Sequence, residues 1–405
     1  MQLTSTERKM LKGEFGQGTA EAMKIIVALG EAYDAPRLVE VSRAHEAFGS
    51  AESSTWFLEL FAGLNARCAV PTTCNPAFDY QYLEKAGMRL SKEDTDLCRR
   101  TGEARVKLGV IPSYCCTPYL QENVPRMGEI IAFSESSATP YVNAVCGARS
   151  HRESANSALA AAICGRVPLY GTLLDRNRKG DVLVDVEARL RDDFDYHLLG
   201  YAVGKIAGAG IPVFDKMQSL RPTPEDLTSL GAEMATSGAV SMYHIIGLTP
   251  EAKDLKTAFG GKAPKTKVTI TDADLHRVQR VNSHPKGKID FVMFGCPHYD
   301  LWQVRDVARL LEGKKISKGV DFWVMTSPTT RNLAKVMGYE GIINKAGGHI
   351  IGGTCSDQVC WERFYRGKVG VTDSLKAWYY TIHRGISFVL DRRSACVAAA
   401  LKGGF

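Results

Sequence analysis

The clearest hydrophobic pattern lies in the last third of the chain. Residues 289–295 form an apolar run ending at Cys296, as expected of a parallel strand buried on both faces. Leu301, Val304, Val307, Ala308 and Leu311 then recur at helical spacing behind an N-cap at Asp300. Residues 320–325 predict the next strand, and Thr326, Ser327 and Pro328 end it and open a helix that runs to about Met337. A third strand, His349–Gly352, leads to Cys355. The order is βαβαβ, a doubly wound domain with right-handed crossovers that places Cys296, Ser327 and Cys355 at equivalent strand ends.

Towards the amino terminus, a short helix holding Met10 and Leu11 breaks at Gly13, Gly16 and Gly18. A longer one carries Ala20, Met23, Ile26 and Val27 and stops near Gly30. Residues 38–42 and 69–73 predict short strands, the second running into Thr-Thr-Cys-Asn-Pro. Small residues over 155–164 and 202–209 predict closely packed helices. Gly204, Gly208 and Gly210 lack the spacing of a dinucleotide fingerprint. The polar stretch 255–288, rich in Lys, Gly and Pro, reads as a linker, dividing 1–280, itself two subdomains without a legible boundary, from 281–405.

With 405 residues, 45% hydrophobic and 23% charged, the chain can bury a core in two or three domains. Its formal charge of +7 is scattered and not interleaved with aromatics, which argues against nucleic acid and leaves a small anion plausible. No stretch approaches the roughly 18 apolar residues of a membrane span. The first ten residues hold no apolar signal region, so a cytoplasmic protein with no membrane association is expected. Eleven cysteines without short paired spacings read as reduced thiols rather than a disulfide framework.

Cys68, Cys98, Cys146, Cys164 and Cys396 read as small buried apolar residues. Cys116 in Tyr-Cys-Cys-Thr-Pro-Tyr, Cys296 in Phe-Gly-Cys-Pro-His and Cys355 in Gly-Gly-Thr-Cys-Ser-Asp differ, because each sits where an apolar run yields to a polar loop. Ligands of open α/β folds gather there. Three soft donors brought together by the fold predict a metal centre with one position free. A zinc site with a catalytic water is the alternative, with His298 or His349 in reach, and Cys115 or Cys360 can replace or join a ligand.

Other candidates are polar residues after strands. Ser134, Glu135, Ser136 and Ser137 can bond a carboxylate or orient water, or cap a helix. Thr72, Thr73 and Asn75 can line a cleft, and His45 is either catalytic or structural. Arg149 and Arg152 suit a fork on a carboxylate or phosphate. Thr326 and Ser327 either touch substrate or cap a helix. Asp373, Ser374 and Lys376 look like the edge of a site.

Cys-Thr-Pro-Tyr-Leu at 116–120, Ser-Glu-Ser-Ser-Ala at 134–138 with Asn143 and Gly147-Ala148-Arg149 after it, Ser-Ala-Leu-Ala-Ala-Ala-Ile at 157–163, Ser-Gly-Ala-Val at 237–240, Gly-Cys-Pro-His at 295–298 and Thr-Asp-Ser at 372–374 resemble the aconitase X family. The resemblance runs from the first helix to the carboxyl terminus. It implies an aconitase-like α/β fold of three-layer domains with parallel sheets and no swivel domain. It also implies a hydro-lyase with an iron-sulfur cluster on Cys116, Cys296 and Cys355, one iron left open, whether 2Fe-2S, 3Fe-4S or 4Fe-4S.

Under that resemblance Ser134, Glu135, Ser136, His45 and Lys376 become the catalytic candidates. Thr72, Thr73, Asn75, Ser137, Asn143, Arg149, Arg152, Thr326, Ser327 and Ser374 become the substrate-facing ones. The 405 residues leave no room for the family's swivel domain, so a separate small subunit carrying the serine base is expected. The substrate is a small hydroxy-carboxylate. With no basic phosphate nest legible, cis-3-hydroxy-L-proline is expected ahead of mevalonate 5-phosphate, Glu135 being the nearest acid for its ring ammonium. A cluster-binding scaffold without turnover is the reading of another class. Departures from the family pattern fall at 151–155, at Cys146 and in the polar 356–360 segment.

Overall fold

The computed structural model describes residues 1–358 and 360–405. Sequence order maps onto three parallel sheets in turn. The amino-terminal region supplies strands β1 (Leu38–Glu40), β2 (Ala44–Glu46), β3 (Thr72–Cys74), β4 (Ile130–Phe133), β5 (Arg149–Ser150) and β6 (Arg166–Pro168). Of these, β3-β2-β4-β5 form a parallel sheet, while β1 and β6 pair antiparallel. The helix Ala155–Cys164 packs on β2, and its Ala158, Ala160, Ala161 and Ala162 are fully buried, so small side chains permit the close approach. The strand expected over 69–73 begins only at Thr72, because the Ala69 amide is taken by the Ala162 carbonyl.

Strands β7 (Val182–Val186), β8 (Pro212–Asp215), β9 (His244–Ile245) and β10 (Thr266–Ile270) form a second parallel sheet in the order β10-β7-β8-β9. Its helices Asp193–Ala207 and Pro224–Ser237 lie so close that a Cβ on Gly204 would meet Ser237 Oγ at 2.2 Å. The stretch read as a linker, 255–288, instead holds β10 and the helix Asp272–Asn282. Its lysine-rich composition belongs to an edge strand of which only Ile270 is buried.

The third sheet follows the expected pattern over 289–352 and adds two strands beyond it. Strands β11 (Phe291–Tyr299), β12 (Asp321–Thr326), β13 (His349–Gly352), β14 (Val369–Thr372) and β15 (Ser387–Leu390) are all parallel, in the order β13-β12-β11-β14-β15. The helix Leu301–Leu311 is capped by Asp300, which accepts from the Gln303 amide at 2.8 Å, and it buries Val304, Val307, Ala308 and Leu311. Strand β11 continues past its apolar run through a cis Cys296–Pro297 peptide to Tyr299. Gly295 sits in that passage at φ +96°, where a Cβ would meet the Met325 carbonyl oxygen at 2.0 Å.

The third sheet grows one way from β11 to β13 and then the other way with β14 and β15. Its switch point therefore lies between Cys296 and the loop after β14. The first sheet likewise switches between β2 and β4. One core cluster joins Phe133 of the first sheet, Phe214 of the second and Met325 of the third. Among the described residues no helix is long and apolar enough to cross a membrane.

Candidate active site

The carboxyl ends of the first and third sheets border one cavity of about 410 Å³. From the first sheet come the loop after β2, Asn75 after β3 and Ser134, Glu135 and Ser136 after β4. From the third come Cys296, Cys355 beyond β13 and Lys376 beyond β14. Cys116 arrives on the 113–116 segment, which runs along β3 with the Cys115 amide on the Cys74 carbonyl. Two switch points thus open onto one space, the place where such sheets bind ligands.

All three sulfurs line this cavity. Cys116 and Cys296 are buried and Cys355 is partly so. Burial pushes the Cys296 thiol up to about 11 and raises Cys116 and Cys355 as well. Two sulfurs already accept backbone N–H groups, Cys116 from His298 at 3.2 Å and Cys355 from Asp357 at 3.4 Å. Cys115 and Cys360 are buried away from the cavity lining, the Cys115 sulfur meeting Thr117 at 3.4 Å. His298 bonds the Thr354 carbonyl through Nε2 at 2.8 Å. His349 lies at the far end of β13, stacked on Trp323 with ring centroids 4.6 Å apart, and cannot join.

The same cavity is lined by a buried ion pair, Lys376 Nζ to Glu135 Oε1 at 2.6 Å. Burial alone would raise the Glu135 carboxyl. Lys376, Asn75 and the Ser137 amide outweigh it and bring the carboxyl down to about 2. Lys376 stays protonated for the converse reason: burial opposes its charge, and the Glu135 carboxylate holds it well above its usual range.

Behind the pair, hydrogen bonds run in one direction. Asn123 Nδ2 donates to Thr73 Oγ1 at 2.8 Å, and Thr73 faces His45 Nδ1 at 2.8 Å. His45 Nε2 meets Asn75 Oδ1 at 2.9 Å, and Asn75 Nδ2 donates to Glu135 at 2.6 Å. With Thr73 donating to Nδ1 and Nε2–H donating to Asn75, every donor meets an acceptor. Burial depresses His45 to about 4, so it is neutral. His45 and Thr73 therefore hold Asn75 and do not line the cavity.

Ser137 lies beneath Glu135, its hydroxyl donating at 2.9 Å. Ser374 caps the helix Leu375–Thr381 and donates to the Cys296 carbonyl, tying the lysine loop to a cysteine. The remaining expected substrate contacts fall outside. Thr72 Oγ1 donates to Val70, and Asn143 bridges the carbonyls of Ser150 and Ser241. Arg149 is spent on the Leu173 carbonyl and Asp175, Arg152 on the Ala235 carbonyl. Thr326 donates to Tyr299, and Ser327 caps the helix Pro328–Val336.

Two charged groups of the cavity wall were not among the expected site residues, Asp357 and Arg384, paired at 2.9 Å. Asp357 stood in a polar loop after a strand, the same signal that marked the other candidates. Arg384 carried one signal, its four-residue spacing from Tyr380 and Lys376.

Two α/β sheets whose carboxyl ends bring three thiols and a locked ion pair to one cavity form an aconitase-like fold. The chain belongs to the aconitase X family: the models of its first, second and third domains match residues 1–176, 180–280 and 289–402. It corresponds to the large subunit and is a hydro-lyase. Over 394 residues it is 39% identical to the phosphomevalonate dehydratase large subunit of Methanothermobacter thermautotrophicus, covering 96% of each chain. It is 32% identical to the cis-3-hydroxy-L-proline dehydratase of Pseudomonas aeruginosa, where the match covers 87% of this chain and 61% of that one. The crystal structure of Thermococcus kodakaraensis aconitase X in its holo-form superposes with a TM-score of 0.89 at 35% identity, covering 99% of this chain and 100% of that one.

Proposed function

We propose that this chain is the large subunit of a phosphomevalonate dehydratase, removing water from mevalonate 5-phosphate in complex with a small subunit. The observation that carries the substrate is the end-to-end match, 96% of each chain at 39% identity, with a protein of that name. The hydroxyproline dehydratase of Pseudomonas aeruginosa is longer and less similar. Glu135, the acid expected to meet a ring ammonium, is already neutralised by Lys376.

An iron-sulfur cluster fits the donor set of Cys116, Cys296 and Cys355. Their thiols come from one strand and two loops to one cavity, with N–H donors on two sulfurs that suit anionic sulfur. Among the described residues no group of three or more His, Cys, Asp or Glu side chains is placed to hold a single metal ion. When bound, a cluster with an iron free of protein thiolate supplies a Lewis acid for the departing hydroxyl.

The chain's own residues bind and orient. Lys376 and Glu135 neutralise and fix each other, a rigid polar wall beside the cysteines. Asn75, Ser134 and Ser136 line the adjoining wall, and Phe48 and Pro76 limit water. Neither member of the Glu135–Lys376 pair is free to take a proton, and His45 lies behind Asn75. A base from outside the chain, the serine of a swivel domain in the small subunit, completes the reaction. Eleven free cysteines suit the reducing cytoplasm.

Co-expression with the small subunit and assay on both substrates tests the reading. Turnover of mevalonate 5-phosphate is expected, and turnover of cis-3-hydroxy-L-proline alone would overturn it.

A further inference from the structure

Lys376, Tyr380 and Arg384 recur at four-residue spacing along the helix Leu375–Thr381 and the turn Ile382–Arg384, and all three line the cysteine cavity. The two cations are held very differently. Lys376 is locked to Glu135 with side chains only 8% and 9% exposed. Arg384 touches Asp357 through one contact, Nη2 to Oδ1 at 2.9 Å, with side chains 23% and 43% exposed. One of five guanidinium donors is used in that contact, and a solvent-facing pair of this kind is readily exchanged.

We propose that Arg384 is the receptor for the phosphate of the substrate, Asp357 holding the guanidinium in place until the phosphate displaces it. The inference rests on the phosphomevalonate reading above. Such a substrate is charged at both ends. Its carboxylate and hydroxyl belong with the cysteines, and Arg384, whose partner Asp357 donates its amide to Cys355 Sγ, lines the same cavity within a short chain's reach of them. A phosphate carries about −1.5 to −2 charges and three acceptor oxygens, a better match for a planar fork than one carboxylate. Asp357 keeps the empty guanidinium oriented, which lowers the cost of ordering it on binding.

The test uses the complex with its small subunit, comparing wild type, Arg384→Ala, Arg384→Lys and Asp357→Asn. Arg384→Ala should raise KM for mevalonate 5-phosphate by roughly 10²-fold with a far smaller change in kcat, as loss of a charged contact in a binding cleft does. Arg384→Lys should recover about a tenth of that loss, because a point charge replaces the fork. Asp357→Asn should leave KM equal or lower. Independently of turnover, calorimetry with inorganic phosphate should detect binding to wild type that Arg384→Ala abolishes. If the alanine variant does not fold, Arg384→Gln serves in its place. Failure of the wild-type complex to dehydrate mevalonate 5-phosphate sinks the dehydratase reading; phosphate binding left intact without the arginine sinks this one.

Discussion

Lys376 Nζ lies 2.6 Å from Glu135 Oε1 across a sequence separation of 241 residues, and this one contact ties the first sheet to the third over the cysteine cavity. Its two partners are anchored separately. Glu135 is fixed by Asn75 and Ser137, and the Lys376 backbone amide donates to Glu233 at 2.9 Å, an acid that also bonds His197.

The pair should write the acid limb of stability. The folded Glu135 carboxyl sits at about 2, below its ordinary 4.5, so its contribution is complete above pH 4.5 and is lost as pH falls towards 2. Lys376 is shifted upward, so its contribution is complete below 10.5 and lost only as pH rises through its higher folded value. Glu135→Gln should flatten the acid limb and, by stranding a buried ammonium, cost about 3–5 kcal/mol at neutral pH. Chemical denaturation of both proteins at a series of pH values checks this.

Replacing Cys116, Cys296 or Cys355 by Ser should each abolish bound iron and the visible absorbance of anaerobically purified protein. Cys68→Ser and Cys98→Ser should retain both, since neither residue lines the cavity. Full iron in Cys296→Ser would remove that cysteine from the donor set.

Purified alone, the chain should turn over substrate negligibly, and a small β-rich partner should restore the rate. Robust dehydration by the isolated chain would show that the base is within it.

Gly295→Ala should damage the site without touching a thiol. The new Cβ would press on the Met325 carbonyl at a left-handed φ, forcing β11 from β12 one residue before Cys296. A loss of about 2–4 kcal/mol is expected from the strain and overpacking together, with reduced iron content. Thermal melts and iron analysis on the same preparation measure both effects.

By itself the sequence determined three of the five strands of the third sheet. Apolar runs at 289–295 and 320–325, the amphipathic face from Leu301 to Leu311 and the Asp300 and Ser327 caps are local signals, and local hydrogen bonding and burial periodicity execute them directly. Polar loops after strands likewise pointed to Ser134, Asn75, Lys376 and the three cysteines, because strand ends are where backbone and side chains turn outward. Tertiary structure decided which of these meet. It turned Arg149 and Arg152 to backbone carbonyls, put His45 behind Asn75 and made the lysine-rich 255–288 an edge strand and a helix in place of a linker. It also paired Asp357 with Arg384. Those outcomes depend on tertiary packing, and contacts between residues 24 to 241 apart leave no periodicity in the chain that forms them.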